Sequence, residues 1–229
     1  MTQGHRLAGR TVLIAGATSA SGAAAARALT DAEARVIAVG RDAGKLADLA
    51  AEVPGIAVET CDLSDEADVA ALAERVRAAS GPVDGVLHLV GGWRGGGGLA
   101  GQTEEDYRFL ENSLTALRHV TRAFDDDLRA SDGARLAVVS STAVTRPLAG
   151  GANYAAVKAA TEAWARAVAQ GFAKAARDAG QPLRAASVVF RVKTLAGLED
   201  DLARAFCALW GEDADAVNDT VIDLSGRSA

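Results

Sequence analysis

The sequence lacks the features that mark several functional classes. It holds only two cysteines, Cys61 and Cys207, far apart and set in apolar or helical patterns. They make no disulfide framework and read as buried thiols of a reducing compartment. Its three histidines, His5, His88 and His119, are scattered, so no metal-ligand spacing exists and no metal is expected. Positive charge is in deficit: 24 Lys and Arg stand against 30 Asp and Glu, a net charge of -6. That balance argues against a nucleic acid or an anionic membrane surface as partner. No apolar run approaches the length that spans a bilayer, and the stretch "MTQGHRLAGR" lacks the apolar segment of a signal peptide. A soluble, cytoplasmic protein is the expectation. Internal repeats and linkers are also missing. With 229 residues, 49% of them hydrophobic, the chain reads as one domain spanning 1–229 around a sizeable core.

What is present is an alternation. Short, nearly continuous apolar runs at 11–16, 34–40, 56–63, 83–91, 134–141, 184–190 and 219–224 read as strands. Between them, helical spacing recurs at about 22–31, 43–53, 65–80 (with Ser64 as N-cap), 103–130, 153–179 and 199–210. Apolar strands separated by helices predict an α/β fold: a doubly wound, Rossmann-like parallel sheet of about seven strands with helices on both faces. One piece is of low complexity, "GGWRGGGG" at 91–98, with six glycines in eight residues.

The first strand–turn–helix reads "TVLIAGATSASGAAAARAL". In a doubly wound sheet this turn and the helix N-terminus after it favour phosphate. Gly16 suits a tight turn, and Gly22 a close approach of helix and strand. Ala20 stands where a glycine would let backbone approach a pyrophosphate, adding one methyl. Thr18, Ser19 and Ser21 complete a loop of small residues. The competing reading is a small-residue turn that merely packs helix on strand.

Further along, Tyr154 and Lys158 lie four residues apart on a predicted helix, so their side chains share a face. An ammonium beside a phenol favours the phenolate and is expected to lower the tyrosine pKa, fitting Tyr154 for proton transfer. Ser141 lies thirteen residues upstream, at the end of the fifth predicted strand. Ligands in such sheets bind beyond the carboxyl ends of strands, so Ser141 is placed to donate to a substrate oxygen.

Together these segments resemble the short-chain dehydrogenase/reductase family, in its shorter single-domain branch, over nearly the whole chain. "RLAGRTVLIAGATSASG" is near that family's T-G-x-x-x-G-x-G pattern, "CDL" carries Asp62 and Leu63 where the family contacts adenine, and "DTVIDLSG" resembles its closing strand. Asn112 in "LENSLTA", Ser141, Tyr154 and Lys158 match its catalytic set in order. The resemblance implies that Tyr154 is the general acid or base and that Ser141 positions the substrate oxygen. Lys158 then binds the nicotinamide ribose and lowers the tyrosine pKa, and Asn112 holds a water linking Lys158 to solvent. Gly91 and Thr194 fall at positions that the family uses for the cofactor. Gly40-Arg41 follows the second strand where NAD-preferring members often carry aspartate. An arginine fork there pairs with a phosphate, so NADP(H) is expected over NAD(H); the competing reading is a solvated Arg41 beside Asp42.

Several positions depart from the family. The N-N-A-G segment is "HLVG", and His88 reads as a strand histidine satisfied by backbone rather than a catalytic group. The P-G turn after the sixth strand is Phe190-Arg191, with Arg191 expected either on cofactor phosphates or an anionic substrate, or in solvent. Only "LAGLE" separates Thr194 from the next helix, too little for a lid. The 91–98 run is therefore either a swinging cover, with Trp93 stacking on substrate and Arg94 pairing with an acidic group of it, or a disordered loop. The resulting expectation is an NADP(H)-dependent oxidoreductase interconverting a small-molecule carbonyl and a secondary alcohol, forming a homodimer or homotetramer. The alternatives are a catalytically idle nucleotide-binding sensor or scaffold, and an enzyme using the same tyrosine for dehydration or isomerisation.

Overall fold

The computed structural model describes residues 7–226. His5 and most of the N-terminal stretch quoted above lie outside the described residues. The first strand, β1 (Thr11–Ala15), is buried along its whole length. Val12 and Ile14 enter one hydrophobic cluster, and Leu13 and Ala15 the cluster on the opposite side of the sheet. Such a strand needs apolar residues at every position, which is why it reads as a run and not as an alternation. The strand β2 (Arg35–Gly40) follows the same logic, with Val36 and Ala38 on one side and Ile37 and Val39 on the other. With β3 (Ala57–Thr60), β4 (Gly85–His88), β5 (Arg135–Ser141), β6 (Ala186–Val192) and β7 (Thr220–Asp223), the described residues form a seven-stranded sheet in the order β3-β2-β1-β4-β5-β6-β7. Every pairing is parallel.

The helices in chain order are α1 (Ala20–Asp31), α2 (Ala43–Glu52), α3 (Glu66–Ser80), α4 (Glu104–Ala123), α5 (Asp125–Ala130), α6 (Ala152–Asp178), α7 (Glu199–Ala208) and α8 (Ala214–Val217). Leu29 of α1, Leu46 of α2 and Phe206 of α7 cover one face; Leu72 of α3, Val120 of α4 and Phe172 of α6 cover the other. This is the Rossmann-like, doubly wound α/β arrangement expected from the sequence. The chain leaves β1 towards β2 and β3, then returns to lay β4 on the opposite side of β1. At that reversal the connections diverge and open a crevice beyond the carboxyl ends of the strands.

Four local expectations are corrected. The helix predicted over 103–130 is interrupted at Phe124, which is fully buried. Arg77 donates to the Ala123 carbonyl (2.6 Å) and to the Asp127 carboxylate (2.9 Å), taking up groups at the junction. The N-cap of α3 is Asp65, whose carboxylate accepts from the Asp68 amide, while the Ser64 hydroxyl donates to Asp62 at 2.6 Å. The third correction is that β6 extends to Val192, so Phe190 and Arg191 belong to the strand and form no turn. Finally, Arg191 does not lie in open solvent, its side chain being 18% exposed. It forms a bidentate pair with Glu162 of α6, at 2.9 and 2.8 Å, and Ser140 donates to the same carboxylate at 2.7 Å. A buried carboxylate requires a cation and donors, and Arg191 supplies the cation.

Candidate active site

The loop from Gly16 to Ser19 leaves β1 and enters α1 with Ser19 as N-cap, its hydroxyl accepting from the Gly22 amide at 3.1 Å. Both glycines are required by contact. Gly16 has φ +85, and a Cβ there would come within 2.9 Å of the Val90 amide nitrogen. At Gly22 a Cβ would lie 2.1 Å from the Ala17 carbonyl oxygen. Thr18, Ser19 and Ala20 are exposed and Ser21 is buried, so the methyl that replaces the middle glycine intrudes on no buried packing.

This loop forms one wall of a cleft of about 430 Å³. Gly16, Thr18 and Ser19 line it from β1, Gly40 and Arg41 from β2, Asp62 and Leu63 from β3, and Gly91 and Asn112 from the far side. The sequence reading had placed all of these except Gly40 in a nucleotide or catalytic role. The Asp62 carboxyl is held low, first by the Ser64 hydroxyl and amide and further by the charge of Arg41. Thr194, exposed two residues beyond β6, does not line this cleft. Lys45 and Phe109, which carry no role in the sequence analysis, also line it, as does Ser64, expected only as an N-cap. Lys45 sits one helical turn past Arg41, a spacing that could have flagged it.

Beside the cleft stand the proton-transfer candidates. Ser141 ends β5, its Oγ accepting from the Ala143 amide at 3.2 Å. Tyr154 and Lys158 lie in the first two turns of α6. Burial raises the Tyr154 phenol pKa, outweighing the lowering influence of the neighbouring Ser141 hydroxyl. This corrects the expectation of a phenol depressed by Lys158. The Lys158 Nζ lies 5.9 Å from the tyrosine ring centroid and donates to the Val139 carbonyl at 2.8 Å, so its charge is directed to the β5 backbone. Burial lowers the Lys158 pKa to about 8. A Cβ on Gly91 would lie 3.7 Å from that Nζ, so the ammonium borders the cleft.

Asn112 is exposed on the cleft side of α4, and the buried residue next to it is Ser113. His88 is a strand histidine bound to backbone, as read from the sequence: its Nε2 lies 3.0 Å from the Ser113 carbonyl. A carbonyl only accepts, so Nε2 carries the proton. Burial pushes the His88 pKa down to about 4, which keeps the ring neutral. Trp93 is exposed, and Arg94 stacks on Phe109 at 4.0 Å and pairs with Asp106 at 3.8 Å. Arg94 thus has an acidic partner within the chain, in place of the acidic substrate group expected for it. The 91–98 run forms a strap pinned at Gly96, whose amide donates to the Gly150 carbonyl at 2.7 Å.

A model of the family described as short chain dehydrogenase matches residues 10–176. The chain belongs to this family. Among curated relatives, a Bos taurus protein called dehydrogenase/reductase SDR family member 11 is 32% identical over 126 residues, covering 52% of this chain and 49% of the relative. The match thus spans about half of the relative's length. A short-chain type dehydrogenase/reductase from Mycobacterium ulcerans superposes with a TM-score of 0.83 at 21% identity, over 95% of this chain and 88% of that one. A Shigella flexneri 2a str. 301 short chain dehydrogenase, solved in complex with NADP, gives 0.83 at 22% identity over 95% and 97%. At such identities these two structures speak for the fold alone.

Proposed function

We propose that this short-chain dehydrogenase is a single nucleotide-binding domain that uses NADP(H) to interconvert a small-molecule carbonyl and a secondary alcohol. The observation that carries the reading is Ser141 at the carboxyl end of β5 beside the Tyr154 phenol, with the Lys158 ammonium bordering a cleft floored by a helix N-terminus. The residues present fit a dinucleotide. Gly16 and Gly22 hold the turn in contact with neighbouring backbone, leaving its exposed edge at Thr18, Ser19 and Ala20 for pyrophosphate. Ser21 and Gly22 seat the first turn of α1 beneath it. Asp62 and Leu63 border the adenine end, and Arg41 favours a 2′-phosphate. Lys158 and Gly91 border the nicotinamide ribose. When bound, the nicotinamide supplies or accepts the hydride.

The chain's own groups handle the oxygen and the proton. Ser141 Oγ already accepts from the Ala143 amide, so its hydroxyl proton is available to the substrate oxygen. Tyr154, with its pKa raised by burial, is a neutral phenol at pH 7. It therefore stands ready as the acid that protonates the oxygen in carbonyl reduction. Lys158 and Asn112 connect that phenol to solvent. The site suits a homodimeric or homotetrameric cytoplasmic enzyme of small-molecule metabolism. Fluorescence titration with NADPH and NADH, followed by a carbonyl screen, tests the reading. NADPH should bind more tightly, and Tyr154→Phe should cut kcat/KM on the order of 10²- to 10⁴-fold while NADPH binding persists. Failure to bind either nucleotide would favour an idle scaffold. Full activity in Tyr154→Phe would overturn the role of the phenol.

A further inference from the structure

The glycine strap is fixed at a specific point. Gln102, which follows it, shares the two N–H groups of Nε2 among the carbonyls of Gly96 (3.0 Å), Gly98 (3.3 Å) and Gly150 (3.1 Å), while its Oε1 accepts from the Asn153 amide at 3.1 Å. Three acceptors at one end and a donor at the other fix the orientation of the amide. The Asn153 side chain returns a bond to the Thr103 carbonyl at 3.1 Å. The strap backbone joins in, with the Gly96 amide donating to the Gly150 carbonyl at 2.7 Å. Glycine is needed for this approach: a Cβ on Gly95 would lie 2.4 Å from the Gly150 oxygen, and Gly97 and Gly98 have φ of +64 and +66.

Two consequences meet at Gln102. Gly151, the N-cap position of α6, offers no side-chain cap. The Gln102 Oε1 therefore caps from a distance the helix that carries Tyr154 one residue further on. The same side chain ties a strap whose Trp93 is 62% exposed, followed by Leu99 at 71%, to a turn whose Leu148 is 70% exposed. Among the described residues these are three of the five exposed large hydrophobics, the others being Val58 and Phe109, and all three lie on the two segments that Gln102 joins.

We propose that Gln102 is a positioning residue that locks the strap to the head of the Tyr154 helix, making it a fixed apolar wall for carbonyl substrates with an apolar body. The substrate part rests on the proposed function; the lock does not. Trypsin cleavage after Arg94, inside the strap, reads the lock without any turnover. In Gln102→Ala, cleavage should speed up on the order of tenfold or more, because proteolysis follows the population of the open form. Gln102→Glu keeps an acceptor for the Asn153 amide but sets a carboxylate against three carbonyls, so the strap should open just as far.

Kinetics then separate the two duties. With an aryl ketone as probe, Gln102→Glu should raise KM about tenfold with kcat nearly unchanged, while Gln102→Ala should also lose kcat about threefold or more. With acetone, which is too small to reach the strap, KM should stay within about twofold in both variants. Unchanged cleavage after Arg94 in both folded variants would overturn the lock. Faster cleavage with equal KM changes for aryl ketone and acetone would overturn the apolar wall. Faster cleavage without turnover of any carbonyl would leave the lock standing and remove the proposed reaction, with the wall's substrate.

Discussion

Replacing Arg191 with methionine should be among the most destabilising single changes available in this protein. Methionine keeps most of the buried stem, so the change removes charge and donors with little loss of packing. Glu162 is left behind with its side chain 6% exposed. It loses contacts at 2.8, 2.9 and 3.2 Å and retains the Ser140 hydroxyl at 2.7 Å. An uncompensated buried charge of this kind costs about 3–5 kcal/mol. Arg166, 4.0 Å from the Glu162 carboxylate and itself well exposed, offers partial relief, which places the expectation at the lower end, about 3 kcal/mol. For a chain of this size that corresponds to a Tm decrease of about 6–12 °C. Urea unfolding of Arg191→Met, Glu162→Met and the double variant measures the pair directly. The double variant removes both charges, so its loss should fall short of the summed single losses by about 2 kcal/mol or more. Additive losses, or a loss below about 1 kcal/mol for Arg191→Met, would refute the claim that these groups depend on each other.

The remaining predictions concern the cleft. Lys158 has a folded-state pKa of about 8 against an ordinary 10.5, so between those values the unfolded chain binds more protons and stability rises with pH. Lys158→Met should therefore be more stable than the parent at pH 7, by up to about 3 kcal/mol, with the gap closing towards pH 10.5; parallel pH–stability curves would contradict this. Gly22→Ala should destabilise by about 3 kcal/mol or prevent folding, since the new methyl meets the Ala17 carbonyl; an unchanged Tm would show that the helix can back away. Arg41→Ala should weaken NADPH binding about 10- to 100-fold and leave NADH nearly untouched, and calorimetry with both nucleotides would detect an equal loss.

The fold was legible because burial on both faces forces an unmistakable pattern. A strand such as Thr11–Ala15 is buried at every position and carries no charged residue to confuse it with a surface helix. Strand ends were less legible: Arg191 looks like a loop residue until its partner 29 positions earlier is known, and no local spacing announces such a pair. The interruption at Phe124 escaped for the same reason, since it depends on Arg77 arriving from another helix. The cleft residues were readable because phosphate loops and the Tyr154/Lys158 spacing are local motifs. The direction of the Tyr154 pKa was not, because it depends on how deeply α6 sits and on where the Lys158 amine turns. Gln102 was invisible in sequence, as a lone glutamine after a glycine run carries no periodic signal.

The chemistry of the two cysteines has a practical consequence. Burial holds the Cys61 thiol up at about 12 and Cys207 at about 11. At pH 7 each is a thiolate in about one molecule in ten thousand or fewer, and thiolate is the reactive species. The native protein is therefore a nearly silent background for maleimide labelling. A single cysteine introduced at exposed Leu99 would react far ahead of both, placing a dye at the end of the strap without first removing either natural cysteine. Opening and closing of that segment could then be followed in real time, one molecule at a time.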